Sequence, residues 1–235
     1  MAFANGEHEI ARWAFHVAAV TGHANAQNNL AGLYAEGLGG EQDDALAAKW
    51  FQRAADQGVA QAKFNLSNLY EEGRGVPRDT RKAISLLEQA AAAGDMDAAF
   101  NLGLLHVTGR DDLPKDVTTG MAWYRQAAGS GFASAQYNLG SLFAQGVDVP
   151  KNLDEAGQWF TKAANQGHAK AQLDLGTMLA HGLGFRPDVP RGLEWLRKAA
   201  ANVSTADLAR QRMQEICTRP PDSRGAAACS ATTLQ

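Results

Sequence analysis

Groups able to do acid–base or covalent chemistry are scattered along this chain. The six histidines, His8, His16, His23, His106, His168 and His181, form no H-E-x-x-H pair. Neither they nor Cys217 and Cys229 have the spacing that a zinc ion asks for. Glu71-Glu72 and Asp43-Asp44 are neighbouring carboxylates, but they fall at helix ends, where charges are commonly solvated. There is no G-x-S-x-G. The pieces "GRG" and "GLG" follow helices, so a phosphate there would meet the negative end of a helix dipole, and they read as helix breakers. The chain therefore reads as no enzyme, with no cofactor and no metal.

What does recur is a polar residue beside a leucine: Asn29-Leu30, Asn65-Leu66, Asn101-Leu102, Asn138-Leu139 and Asp174-Leu175. An amide donates and accepts at once, matching both backbone groups of an extended chain. Turning 100° per residue from Ala60 clusters Ala62, Leu66, Ser67 and Tyr70 as a buried stripe. Gln61, Phe64, Asn68 and Glu72 then face away, and Asn65 lies on the border. The row Asn28, Phe64, Phe100, Tyr137 and Leu173 thus puts apolar groups on a face expected to be wet, as a partner surface would. Two readings stand for the amides and for this row: contact with a partner, or packing against the neighbouring unit.

The elements that must position these groups follow a fixed period. Small-residue pairs at Ala18-Ala19, Ala54-Ala55, Ala90-Ala91, Ala127-Ala128, Ala163-Ala164 and Ala199-Ala200 are separated by about 36 residues each time. Such a period marks an all-α solenoid, whose units bury their apolar faces only against their neighbours. Five units are expected at 24–59, 60–95, 96–132, 133–168 and 169–204, each made of two helices. Residues 1–23 form a partial unit or cap helix, 205–217 a C-terminal capping helix, and 218–235 a flexible tail. Asp79, and in the same slot Asp43, Asp116, Asn152 and Asp188, are expected N-caps of the second helices. Gly22, Gly58, Gly94, Gly131 and Gly167 are expected left-handed C-caps. His23 and His168 come just after such a glycine and read as solvated, and His106 as a histidine at the core edge. Trp13, Trp50, Trp123, Trp159 and Trp195 read as packing residues of the second helices, with Trp13 one residue out of register.

The net charge of -3 offers no concentrated positive surface for nucleic acid. Residues 1–72 hold four Lys and Arg against nine Asp and Glu, so this end suits basic partners if either does. No apolar run is long enough to span a bilayer, and the first ten residues lack the form of a secretion signal. As presented, the chain reads as cytoplasmic, or as periplasmic or secreted if a leader has been removed. Cys217 and Cys229 leave two possibilities open: a disulfide closing a tail loop in an oxidising compartment, or two unrelated thiols.

Units such as "AQAKFNLSNLYEEGRGVPRDTRKAISLLEQAAAAGD" resemble Sel1-like repeats, relatives of the tetratricopeptide repeat, over residues 3 to 204. A-x-A, N-L-G, Y-x-x-G, the loop Asp, the second-helix Trp and A-A-x-x-G recur in order. Ser67 and Ala31 depart from the first-helix Gly, Leu86 from the Trp, and His106 from the Tyr. The resemblance implies a right-handed α–α superhelix with the first helices on its concave face, and an adaptor role in signalling, secretion or envelope processes. It also implies that an Asn at this place in the first helix bonds a bound peptide's backbone. The implied binding set is Asn29, Asn65, Asn101, Asn138 and Asp174 for backbone contacts, with Asn68 beside them and Phe64, Phe100 and Tyr137 for side-chain pockets. The expected partner is a protein or peptide and the chain a monomer or weak oligomer. An exported protein that stacks a cell-wall or surface glycan on the aromatic row is the alternative.

Overall fold

The computed structural model describes residues 2–110, 113–218 and 226–229. The twelve named helices fall into two compact units, Met1–Asp116 and Val117–Gln235. The first holds α1 (Ala2–Val20), α2 (Ala24–Glu36), α3 (Asp44–Asp56), α4 (Ala60–Glu72), α5 (Thr80–Ala92) and α6 (Met96–Thr108). The second holds α7 (Val117–Gly129), α8 (Ala133–Gln145), α9 (Leu153–Asn165), α10 (Ala169–His181), α11 (Val189–Ala200) and α12 (Ala206–Thr218). Within each unit every helix packs on the next in sequence, as in a solenoid. The expected tail lies outside the described residues, save Thr218 and a helical turn at 226–229.

Helix ends are set by single residues. The carboxylates of Asp43, Asp79 and Asp188 and the amide oxygen of Asn152 each accept from the backbone N–H three residues on, at 2.9–3.1 Å. The leucine beside each ladder residue is the core: Leu30, Leu66, Leu102, Leu139 and Leu175 are all at most 2% exposed. The alanine pairs let neighbouring helices approach it; Ala54, Ala90, Ala127, Ala163 and Ala199 are fully enclosed.

A second set of polar contacts ties one helix pair to the next. The buried amides of Gln27, Gln136 and Gln172 donate to the carbonyls of Ala19, Ala128 and Ala164 at 3.0–3.2 Å. Gln57 and Gln166 then donate to the oxygens of Gln27 and Gln136 at 2.7 and 2.8 Å. These helix-end carbonyls already accept from the glycine N–H three residues on, and the glutamines fill their second acceptor site. Arg74 similarly clasps Asp44 through Nε and Nη2 and also donates to the Ala35 carbonyl. That clasp, led by the hydrogen bonds from Arg74, holds the Asp44 carboxyl below its ordinary pKa.

Three expectations from the sequence are revised. Trp13 packs nowhere: it is 70% exposed, because its register partner 36 residues on is the exposed Lys49. With Ile10, Val17 and Val20 it forms an outward apolar stripe on α1. Leu173 lies on no wet face but in a core cluster with Ala209 and Ile216 of α12. His168 is half-buried, its Nδ1 capping α10 by accepting from the Ala171 N–H. Burial first, and Lys170 second, push its pKa down.

The glycines of "GRG" and "GLG" do more than stop helices. A Cβ on Gly75 would lie 2.1 Å from the Asp44 carbonyl oxygen, and one on Gly184 2.3 Å from that of Leu153. Both loops thus dock on the start of the preceding second helix. Gly75→Ala is expected to destabilise the protein by about 2 kcal/mol or more, since positive φ and a backbone clash combine. Gly58→Ala, with a φ of +91° but open space around it, should cost about 1 kcal/mol. Urea midpoints of the two variants check this ordering.

Candidate binding site

Each unit carries a cleft on its first helices. In the first unit, Ser67, Asn68 and Glu71 of α4, Ala83 and Leu87 of α5, Asn101, Leu104 and Leu105 of α6, and Arg110 enclose about 200 Å³. In the second, the cleft measures about 330 Å³, walled by Tyr137, Ser141, Ala144 and Gln145 of α8, Leu153 and Phe160 of α9, and Asp174, Thr177 and Met178 of α10. Lys151 and Leu183 from the loops complete it. The two are one site seen twice. Asn68 and Ser141, Glu71 and Ala144, Leu87 and Phe160, Asn101 and Asp174, Leu104 and Thr177, Leu105 and Met178, and Arg110 and Leu183 are each 73 positions apart.

The ladder residues divide by what they already touch. Asn65 donates to Asn28 of the preceding unit at 3.4 Å and accepts from Gln61, while Asn29 accepts from Asn28. Asn138 donates to the Tyr124 hydroxyl at 2.9 Å, giving this buried phenol the partner it needs. These amides are engaged within the chain. Asn68 and Asn101 line the first cleft, and their side chains form no hydrogen bond among the described residues. Phe64 and Phe100 are half-buried and wall neither cleft. Tyr137 does wall the second, its ring stacked on His168 at 4.7 Å and tilted against Phe160 at 5.6 Å.

Charge distinguishes the clefts. In the first, Arg110 meets Glu71 through two nitrogens, at 2.6 and 3.2 Å. The same two positions in the second are Leu183 and Ala144, and the amide of Asn101 has become the carboxyl of Asp174. Burial raises the Asp174 pKa, opposed by a hydrogen bond from Tyr137 and by the charges of Arg212 and Lys170. Sequence inspection grouped Asp174 with the asparagines as a polar ladder member. The missing arginine and glutamate were the signal that it is different, visible only when positions 73 apart are set side by side. The glutamines at 27, 136 and 172 were also overlooked; their signal is the Ala-x-Ala-Gln start of three first helices.

Cys217 of α12 and Cys229 are joined in a disulfide. Among the described residues no cluster of three or more His, Cys, Asp or Glu could hold a metal ion. No helix among them is long and apolar enough to cross a membrane.

A carboxyl whose folded pKa lies above its unfolded value holds its proton more tightly when folded, so its ionisation removes stability as pH rises through that range. Asp174→Asn should therefore raise the melting temperature at pH 7, on the order of 2 °C. The advantage should vanish near pH 3, where the wild-type carboxyl is protonated in both states. Thermal unfolding of the two proteins at both values measures it.

A Sel1 repeat model matches residues 24–59, 60–95, 97–132, 133–168 and 169–203. Among solved structures, a Sel1 repeat protein from Oxalobacter formigenes is 34% identical, with a TM-score of 0.76 over 85% of this chain and 58% of that one. The protective antigen c5321 of uropathogenic Escherichia coli strains, which displays an SLR fold, is 26% identical, with a TM-score of 0.63 over 96% of this chain and 60% of its own. The chain thus spans about three fifths of the length of these two relatives. No curated protein matches it. Sel1 repeat proteins generally act in protein–protein interaction and are typically not catalysts. With five matched repeats over most of its length, the chain belongs to the Sel1 repeat family.

Proposed function

We propose that this chain is a non-enzymatic scaffold that binds an extended protein segment through the clefts on its first helices, in bacterial signalling or envelope processes. The observation that supports the reading is the repetition of one cleft at positions 73 residues apart, lined by ladder residues. Extended peptides suit such a design, because each cleft accepts a side chain while neighbouring amides meet the backbone. Within this reading the binding amides are Asn68 and Asn101, and Asn65 and Asn138 act as spacers between helices. The variant Asn68→Ala/Asn101→Ala should weaken a partner captured from bacterial lysate by about tenfold, the size expected of lost central polar contacts, with little change in melting temperature. Asn65→Ala/Asn138→Ala should do the reverse. Titration calorimetry and thermal unfolding of both double variants, with the two effects exchanged, would sink the assignment.

The Cys217–Cys229 bond supports the envelope over the cytoplasm as the place of work, since disulfides persist where thiols are not kept reduced. Intact-mass measurement of the protein isolated from its host should show a gain of two protons on reduction. Two free thiols in that material would place it in a reducing compartment.

A further inference from the structure

We propose that the second cleft is a receptor for an arginine side chain of the bound protein segment, with Asp174 as its counter-charge. The inference rests on the cleft-binding reading above and adds the chemistry of the residue bound.

The chain itself shows how a guanidinium occupies this kind of cleft. In the first unit Arg110 comes from the loop after α6, lies beside Asn101 and Leu105, and is held by both oxygens of Glu71. The preceding loop does likewise, Arg74 clasping Asp44. The cleft of the second unit differs from the first in two ways. Leu183 and Ala144 stand where the first cleft has Arg110 and Glu71, as Leu38 and Val147 stand in the register of the arginine. The second cleft has no internal ion pair of that kind and measures about 330 Å³ against about 200 Å³. A carboxylate nevertheless reappears across the cleft, as Asp174 in place of the amide. The second cleft thus presents a carboxyl with no arginine of its own loop opposite it.

Asp174 makes no ion pair among the described residues. The other charges around it do not fill the cleft. Arg212 is paired to Glu215 at 2.9 Å, Lys170 is solvent-exposed, and Lys151 stands exposed on the rim. Tyr137 shares the cleft wall with Asp174, and its hydroxyl interacts with the carboxyl. Phe160, Met178 and Leu153 supply the apolar wall that an arginine's three methylenes cover. A planar, always-charged guanidinium pairs with a half-buried carboxylate through two parallel hydrogen bonds, which a point-charge ammonium cannot match.

The probe is an array of randomised nonapeptides with either arginine or citrulline, its neutral isostere, fixed at the centre. Wild-type protein should retain the arginine set about tenfold better than the citrulline set. Asp174→Asn, which restores the asparagine found at four of the five register positions and so keeps the fold, should abolish that preference while peptides still bind. Leu183→Arg, which returns an internal arginine to the cleft, should compete with the peptide and lower binding of the arginine set. Peptide binding indifferent to arginine over citrulline, or an arginine preference that survives Asp174→Asn, overturns this proposal and leaves the cleft-binding reading standing. Binding of neither set overturns both.

Discussion

The structure depends on the enclosure of one leucine per repeat by helices it does not belong to. Leu66 is 1% exposed within a core cluster that draws alanines from α2 and α3 and Leu86 from α5. No helix pair could do this alone, so burial is a property of neighbours, and each unit's stability is distributed along its row of helices. The cost of such a design is at helix ends, where buried carbonyls and N–H groups need partners at every junction. Short capping side chains, the glutamine amides and the arginine clasps meet that need in register.

Because the packing is strict, the few positions that escape it stand out. An asparagine beside the core leucine can turn toward the preceding unit, as Asn65 and Asn138 do, or toward a cleft, as Asn101 does. The difference lies in the opposing residue. Asn65 meets Asn28 and Asn138 meets the Tyr124 hydroxyl, so each finds a partner close by. Asn101 faces a cleft whose polar groups, Arg110 and Glu71, are already matched to one another.

This explains how far the sequence could be read. Period, caps and core leucines depend on residues within one helix or one turn, and a single helical wheel finds them. The same wheel puts Leu173 on a face expected to be wet, with packing against a neighbour as the other reading, and Trp13 reads as a packing residue although it lies one residue out of register. A wheel of one helix does not include α12, which encloses the first, and the one-residue offset of the second from the register is what turns it outward. The clefts are less legible still. They draw on three helices and a loop, and the exchange of Arg110 and Glu71 for Leu183 and Ala144 is a change in positions that look unremarkable one at a time. Comparing repeats with each other recovers more than comparing residues with a general pattern.

Asp174 is the clearest case of a local rule broken without structural gain. An asparagine, the residue at the other four register positions, would not carry the same cost there, because a half-buried carboxylate loses solvation and makes no ion pair among the described residues. Residues that lower stability in this way are retained where they interact with something outside the fold. A cleft with a carboxyl, an apolar wall and no arginine of its own loop offers the sign and the surface that the proposed arginine of a bound segment would meet.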